Sequence, residues 1–418
     1  AEYMGAIESF YSLNMETESD FSLVNCERRG RKRIRIFSDS PPSSKVLVTP
    51  IYEEKLPSNA SSGITTIGTA STSPFSQALP CPSRSRIDDE EGHYLYKLGE
   101  NLTSRYIIHK KMGKGTFGQV LECWDGKNSE MVAIKIVRAT KQYREDAIIE
   151  VEMLEKLNKH KRKHNHCVRI RNWFDYRNHI CIVFEKLGPS LYDFLRNNKY
   201  RSFPIKTVRE IGKQILECVE YMHSLNLIHT DLKPENVLLV SSEYSTVHNL
   251  KGGKRVPKSS EIKVIDFGST TYDENDQSYV VSTRHYRAPE VILGIGWSYP
   301  CDIWSVGCIL VELCTGDTLF ETREDLEHLA MMERVIGEFP YSMLKKVKGR
   351  FVRHGRLDWP GGASSSGSVE FVKGLPRLKS VVRENGDFCD LLGKMLRHDP
   401  YYRLTATEAL RHTFFSRM

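Results

Sequence analysis

The chain carries ten cysteines but no C-x-x-C pair. That excludes the paired thiolates of a zinc ribbon and the dense bridging of a small secreted scaffold, and leads us to expect free thiols in a reducing compartment. It also lacks an unbroken apolar run of membrane-spanning length. The longest such stretch, Val291 to Cys314, is interrupted by Pro300, Asp302 and Glu312, which argues for a buried helix. A strong charge of one sign is missing too: 60 basic against 53 acidic residues leave +7, too little for a strongly basic nucleic-acid binder. A His164-x-His166-Cys167 spacing could suggest a metal, but Lys159, Lys161, Arg162 and Lys163 beside it would repel a cation, so it reads as a solvated basic loop.

Residues 1–90 show no sustained periodicity and are rich in Ser, Thr and Pro, the composition of a disordered tail. Within it, Arg28-Arg29-Gly30-Arg31-Lys32-Arg33-Ile34-Arg35 sets six cations in eight residues, the pattern of a nuclear-import signal. Regularity begins at Tyr106. Tyr106 to Met112, Gln119 to Trp124, Met131 to Val137 and His179 to Glu185 read as strands, and Tyr143 to Asn158 as a helix. Beyond Leu187 the pattern turns helical. In Ile205 to Leu225, Val208, Ile211, Ile215, Val219 and Met222 share one face. The expected fold class is α+β: a small antiparallel N-lobe over 106–186 and a larger helical C-lobe over 187–415, with a ligand cleft between them.

The chemistry sits in four strings. Gly113-Lys114-Gly115-Thr116-Phe117-Gly118-Gln119-Val120 is a glycine turn followed by strand, not by the helix of a dinucleotide fold, and no G-K-[ST] follows as in a Walker loop. Such a turn can close over phosphates without side-chain obstruction. Val132-Ala133-Ile134-Lys135 places an ammonium on the neighbouring strand, and Glu150 is the best candidate to hold it, ahead of Glu152 and Glu155 on the same helix. His229-Thr230-Asp231-Leu232-Lys233-Pro234-Glu235-Asn236 and Asp266-Phe267-Gly268 complete the set. Asp231 would orient a substrate hydroxyl, Lys233 would neutralise the moving phosphoryl group, and Asn236 with Asp266 would bind Mg²⁺ through oxygen. Together the strings describe ATP-dependent phosphoryl transfer to protein. The rival from another class is a kinase-fold scaffold without catalysis, which Mg²⁺-dependent ATP turnover would distinguish.

Residues 106–415 resemble a eukaryotic protein kinase throughout. Ala288-Pro289-Glu290, Asp302-Ile303-Trp304-Ser305-Val306-Gly307 and Arg403 agree with that frame, with Glu290 and Arg403 expected as a buried ion pair. Glu327-His328-Leu329-Ala330-Met331-Met332-Glu333-Arg334 resembles the signature of the LAMMER, or Cdc2-like, dual-specificity kinases, with plant members most similar. Locally it is an amphipathic helix whose Leu326, Leu329, Met332 and Ile336 would face inward. The resemblance implies phosphorylation of serine in Arg/Ser-rich splicing factors, Tyr autophosphorylation and nuclear residence; a monomer is expected, with no direct nucleic-acid binding and no membrane attachment. It assigns Met112, Val120, Ala133 and Leu238 to the adenine sandwich, Glu185 and Leu187 to its backbone contacts, and Asp193 to the ribose. Phe184 becomes the gatekeeper, Glu235 and Arg287 substrate-binding residues, and Ser282 and Thr283 parts of the activation segment. One departure stands out. Thr230 replaces the arginine that usually pairs with an activation-loop phosphate, so dependence on such a phosphate is expected to be weak. The polar insertion from Ser241 to Ser260 has no assigned role.

Overall fold

A computed structural model describes residues 88–159, 165–247, 253–274, 277–382 and 386–416. The serine-rich tail and its basic cluster lie outside the described residues, as do 160–164 of the basic tract and 248–252 of the polar insertion.

Five strands build the N-lobe: β1 (Tyr106–Gly115), β2 (Gly118–Asp125), β3 (Glu130–Val137), β4 (Ile170–Tyr176) and β5 (His179–Glu185). They pair antiparallel in the order β1-β2-β3-β5-β4. Period-two alternation turns Ile108, Leu121, Cys123, Ile134 and Val183 into one core. Asp125 ends β2 by accepting the Lys127 and Asn128 N–H groups and a two-pronged Arg105 contact at 2.6 Å. The strand β4 had no clear alternation to reveal it, because it is an edge strand with a bulge and only half-buried side chains. Residues 91–105 also escaped the sequence reading, yet Tyr94 and Leu102 are buried in this same core. The ordered region therefore begins before the first regular strand.

Helix α1 (Lys141–Lys159) lies behind the sheet with Ala147, Glu150, Val151, Leu154 and Leu157 turned inward. The C-lobe follows with α2 (Leu191–Asn197), α3 (Ile205–Ser224), α4 (Pro289–Leu293), α5 (Pro300–Thr315) and α6 (Asp325–Val335), then further short helices. The five positions expected to line α3 are all fully buried. They pack on α5 so closely that a Cβ on Gly212 would come within 2.7 Å of Leu310. On α6 the inward set is wider than the expected stripe. His328, Leu329, Ala330, Met331, Met332 and Val335 are buried, while Leu326 and Ile336 are only half-buried, because the C-lobe covers the helix on more than one side. Among the described residues His328 has no hydrogen-bond partner on either ring nitrogen; it packs on Phe320, and burial pushes its pKa down to about 3. It is a neutral core side chain.

The polar insertion forms a hairpin, β8 (Tyr244–Val247) with β9 (Lys254–Pro257), fastened to α2 where the Asn198 side chain meets both backbone groups of Arg255. Two-residue and three-residue pairs carry the loops around the cleft: β6 (Leu227–Ile228) with β11 (Thr271–Tyr272), and β7 (Val237–Leu239) with β10 (Ile262–Val264).

Glu290 and Arg403, fully buried, meet at 2.6 and 2.9 Å. The remaining guanidinium donors reach the carbonyls of Pro300, Arg397 and His398, so no charge is left unsatisfied. Removing the carboxylate would strand a buried cation, at a cost of about 3–5 kcal/mol. Glu290→Ala is expected to lower the unfolding free energy from chemical denaturation by that much, whereas a loss of only a few tenths of a kcal/mol would show that the pair is not structural.

Candidate active site

The catalytic loop leaves β6 at His229 and is held from below. Asp302, at the start of α5 and 1% exposed, accepts the His229 N–H at 2.9 Å and the Thr230 N–H at 3.0 Å, and its Oδ2 lies 3.0 Å from His223 Nε2. Burial would raise its pKa, but the His223 contact and the backbone donors hold it below the ordinary carboxylate value. Pro234 then opens a single 3₁₀ turn, Pro234–Asn236, that redirects the chain into β7.

On this loop Lys233 Nζ donates to Asp231 Oδ2 at 2.8 Å and to Thr283 Oγ1 at 3.0 Å. Asp231 Oδ1 accepts from the Thr283 N–H at 2.9 Å and its hydroxyl at 2.7 Å. Asn236 Nδ2 donates to the Asp231 carbonyl at 2.9 Å, which fixes the amide and leaves its oxygen as a potential ligand. Thr283 thus ties the activation segment directly to the carboxylate that would orient a hydroxyl.

From the N-lobe, Lys135 Nζ reaches Glu150 at 2.8 and 2.9 Å and Asp266 Oδ1 at 3.5 Å. Of the three glutamates weighed on α1, Glu150 is buried and makes this contact, while Glu152 and Glu155 are exposed. Burial disfavours the Lys135 charge, but the two carboxylates outweigh it and keep the ammonium protonated. Burial likewise pushes the Asp266 carboxyl up, and the Lys135 charge pulls it below its usual value. Asp266 takes a left-handed backbone, φ +64°, as it enters the turn at Phe267. Aspartate tolerates that conformation better than most residues.

The cleft wall is set by register. Gly113 pairs with Val120, Val120 with Lys135, Ala133 with Phe184 and Val132 with Glu185. Leu238 bridges to Ser190 beside α2. Leu187 is buried and Met112 is exposed. Asp193, half-exposed at the α2 N-terminus, accepts from Ser190 Oγ and Arg196. In the glycine turn, Gly113 and Gly115 have open space where a Cβ would sit, whereas Gly118 is pressed against β3, its Cβ position 2.3 Å from the Ile136 carbonyl. The first two leave room for a ligand, and the third allows the hairpin to close.

Arg287 is engaged by the activation segment. Its Nε donates to the Val281 carbonyl and its Nη2 to Ser282, both at 2.9 Å, while Ser282 adopts φ +66°. These contacts make it a brace for the activation segment. Thr230 also has a defined partner: its hydroxyl donates to the Ser269 carbonyl at 2.8 Å, at the position where an arginine would reach for a phosphate. Glu235 is exposed. Beneath the segment, Tyr286 OH donates to Glu312 at 2.6 Å. Sequence reasoning did not assign Asp302 or Glu312 a site role. Their signal was an acid isolated inside an apolar helix, where only a specific partner makes burial tolerable.

Residues 106–415 match the family model described as Protein kinase domain. The serine/threonine-protein kinase AFC2 of Arabidopsis thaliana is 57% identical, with 97% of this chain and 100% of the relative covered. The serine/threonine-protein kinase AFC1 of the same plant is 59% identical over 79% of this chain and 75% of the relative. The dual specificity protein kinase CLK2 of Homo sapiens is 46% identical over 80% and 69%. A solved kinase-domain crystal structure superposes with a TM-score of 0.73 at 39% identity, covering 78% of this chain and all of that one.

Glu312 provides a pH signature. Burial, with the neighbouring charges of Glu235, Asp317 and Glu321, raises its pKa from 4.5 to about 7 against the Tyr286 hydrogen bond. The native state therefore favours the protonated acid. That contribution is fully present below pH ~4.5 and is lost as pH rises through ~7, amounting to about 3 kcal/mol. Glu312→Gln should flatten this fall in denaturation curves taken from pH 4.5 to 8, and an unchanged slope would refute the assignment. The Thr230 geometry predicts that phosphatase treatment leaves kinase activity largely intact. Abolition by phosphatase, with restoration by phosphate at Ser282 or Thr283, would refute that independence.

Proposed function

Because this chain belongs to the protein kinase family, within its LAMMER group, we propose that it phosphorylates serine in Arg/Ser-rich splicing factors in the nucleus. We further propose that it uses Mg-ATP and has the dual specificity to phosphorylate its own tyrosines. The observation that carries the substrate reading is the acidic character of the acceptor side. Glu235 is exposed two residues beyond Lys233, and Asp317 and Glu321 share its acidic neighbourhood, since all three raise the pKa of the buried Glu312. A substrate arginine there would form a charge-assisted, two-pronged hydrogen bond that a lysine could not reproduce.

The donor set suits the cofactor. Asp266 and Asn236 offer hard oxygen ligands, with Lys135 close by as the cation for phosphate oxygens, and Mg²⁺ prefers oxygen and keeps part of its water shell. When bound, Mg-ATP supplies the transferable phosphoryl group and neutralises its charge. The protein's own part is positional. Asp231 would hold an incoming hydroxyl by the carboxylate that Thr283 and Lys233 now occupy, and would accept its proton as the hydroxyl oxygen bonds to the γ-phosphorus and the bond from that phosphorus to the β,γ-bridging oxygen breaks, with ADP as the leaving group. Lys233 stays within reach of the same locus. Asp302 keeps the loop from moving while this happens. The basic cluster at Arg28–Arg35 supports the nuclear assignment, by its sequence alone.

The test is radiolabelled phosphate transfer from Mg-ATP to an Arg/Ser-repeat peptide, against a lysine-for-arginine control and Asp231→Asn. Transfer should fall ~10²–10⁴-fold in Asp231→Asn and drop clearly with the lysine peptide. Equal use of both peptides would leave a kinase without the proposed specificity. No transfer to either, with ATP still bound, would favour a catalytically silent scaffold.

A further inference from the structure

The residues just before β1 have a second attachment besides the core. Asp88 Oδ1 lies 2.9 Å from Nε2 of the fully buried His179, whose Nδ1–H donates to the Val137 carbonyl at 2.7 Å. Asp89 curls the chain into a turn: its Oδ1 accepts the N–H groups of Glu91 at 3.0 Å and His93 at 2.8 Å. Gly92, at φ +80°, then presents its carbonyl to the Ala139 N–H at 2.9 Å, at the junction of β3 and α1.

This turn touches the glycine hairpin. Lys114 Nζ donates to Asp89 Oδ2 at 3.1 Å. Arg138 is the central group. Its Nε donates to the Glu91 carbonyl at 2.6 Å and its Nη1 to the Thr116 carbonyl at 3.2 Å, while its backbone N–H donates to the Phe117 carbonyl at 3.1 Å. The same guanidinium lies 4.9 Å over the Tyr143 ring of α1, against which Phe117 from the hairpin tip packs edge-on at 5.8 Å. One side chain therefore joins the turn, the hairpin and the helix that carries Glu150. Apart from its strand pairing, the hairpin tip has few side-chain contacts, since Lys114, Gly115, Thr116 and Phe117 are all exposed.

We propose that Asp88–His93 is a strap that positions the glycine hairpin over the nucleotide through Arg138, so that nucleotide affinity depends on residues preceding the 106–415 family match. The Asp89–Lys114 pair is exposed and contributes little by itself. The planar fork that spans two carbonyls carries the effect, and lysine cannot make that span. Arg138 is a positioning residue: it acts on the hairpin and touches no reacting atom.

The test uses the full chain with Arg138→Ala, Arg138→Lys, Gly92→Val and the Arg138→Ala/Gly92→Val double variant. Gly92→Val disturbs the strap from its other end, because a β-branched residue does not adopt φ +80° without strain. The Kd for Mg-ATP by calorimetry should rise roughly threefold to tenfold in each single variant, the loss of one or two hydrogen bonds. Arg138→Lys should behave like alanine. The turnover number on a general protein acceptor at saturating ATP, and the melting midpoint, should stay near the parent values. The double variant should be no worse than the worse single, since both break one linkage. An unchanged Kd in Arg138→Ala would overturn the proposal. So would additive effects, or a Kd that rises only in step with a falling melting midpoint, which marks a merely structural role. Should Arg138→Ala fail to fold, Gly92→Val decides by the same criteria. None of these readouts depends on the Arg/Ser substrate assignment.

Discussion

The catalytic loop depends on one buried carboxylate. Asp302 is sequestered at the start of α5, and a bare anion there would be costly. It is tolerated because the backbone N–H groups of His229 and Thr230 and the His223 ring surround it. The same contacts fix the two residues that lead into Asp231. Geometry at the acceptor side is therefore set by a helix that never meets substrate, and α5 is itself clamped by α3 on one side and by Arg403 reaching Pro300 at its first residue.

Across the cleft the logic is electrostatic. Lys135 is flanked by Glu150 from α1 and Asp266 from the turn after β10, so an ammonium on the sheet reports on both the helix and the C-lobe. The arrangement keeps Lys135 charged and Asp266 ionised, the states in which one attracts phosphate and the other a divalent cation. Phosphoryl transfer places just this demand on a protein, because positioning and field carry most of the catalysis.

The activation segment is held by contacts of its own chain. Arg287 grips the carbonyls of Val281 and Ser282, Thr283 reaches Asp231, and Thr230 is engaged with Ser269. At the opposite end of the cleft, the Asp88–His93 turn and Arg138 do for the glycine hairpin what Asp302 does for the catalytic loop. A mobile functional loop is tied down by groups outside it.

The two-lobed plan, the strands β1, β2, β3 and β5, the helix α3 and the motif residues from Lys135 to Asp266 were legible in the sequence. Their determinants are local: period-two or period-3.6 apolar spacing, and polar residues at fixed offsets on one loop. Other features had no local signature. The β4 edge strand alternates too weakly, and Tyr94 and Leu102 show no period that marks them as core. Arg287 looks like any basic residue near a substrate until its donors are counted. Glu312 was visible only as an acid within an apolar run, and Asp302 as that and the start of a matching string, without its partners. Which of Glu150, Glu152 and Glu155 meets Lys135 was a choice the sequence could rank but not make. Periodicity and motif spacing thus determined the elements and the kinds of chemistry. Only the tertiary structure decided which donor faces which acceptor, because those pairings join residues tens to a hundred positions apart, and their energy depends on burial that no single segment possesses alone.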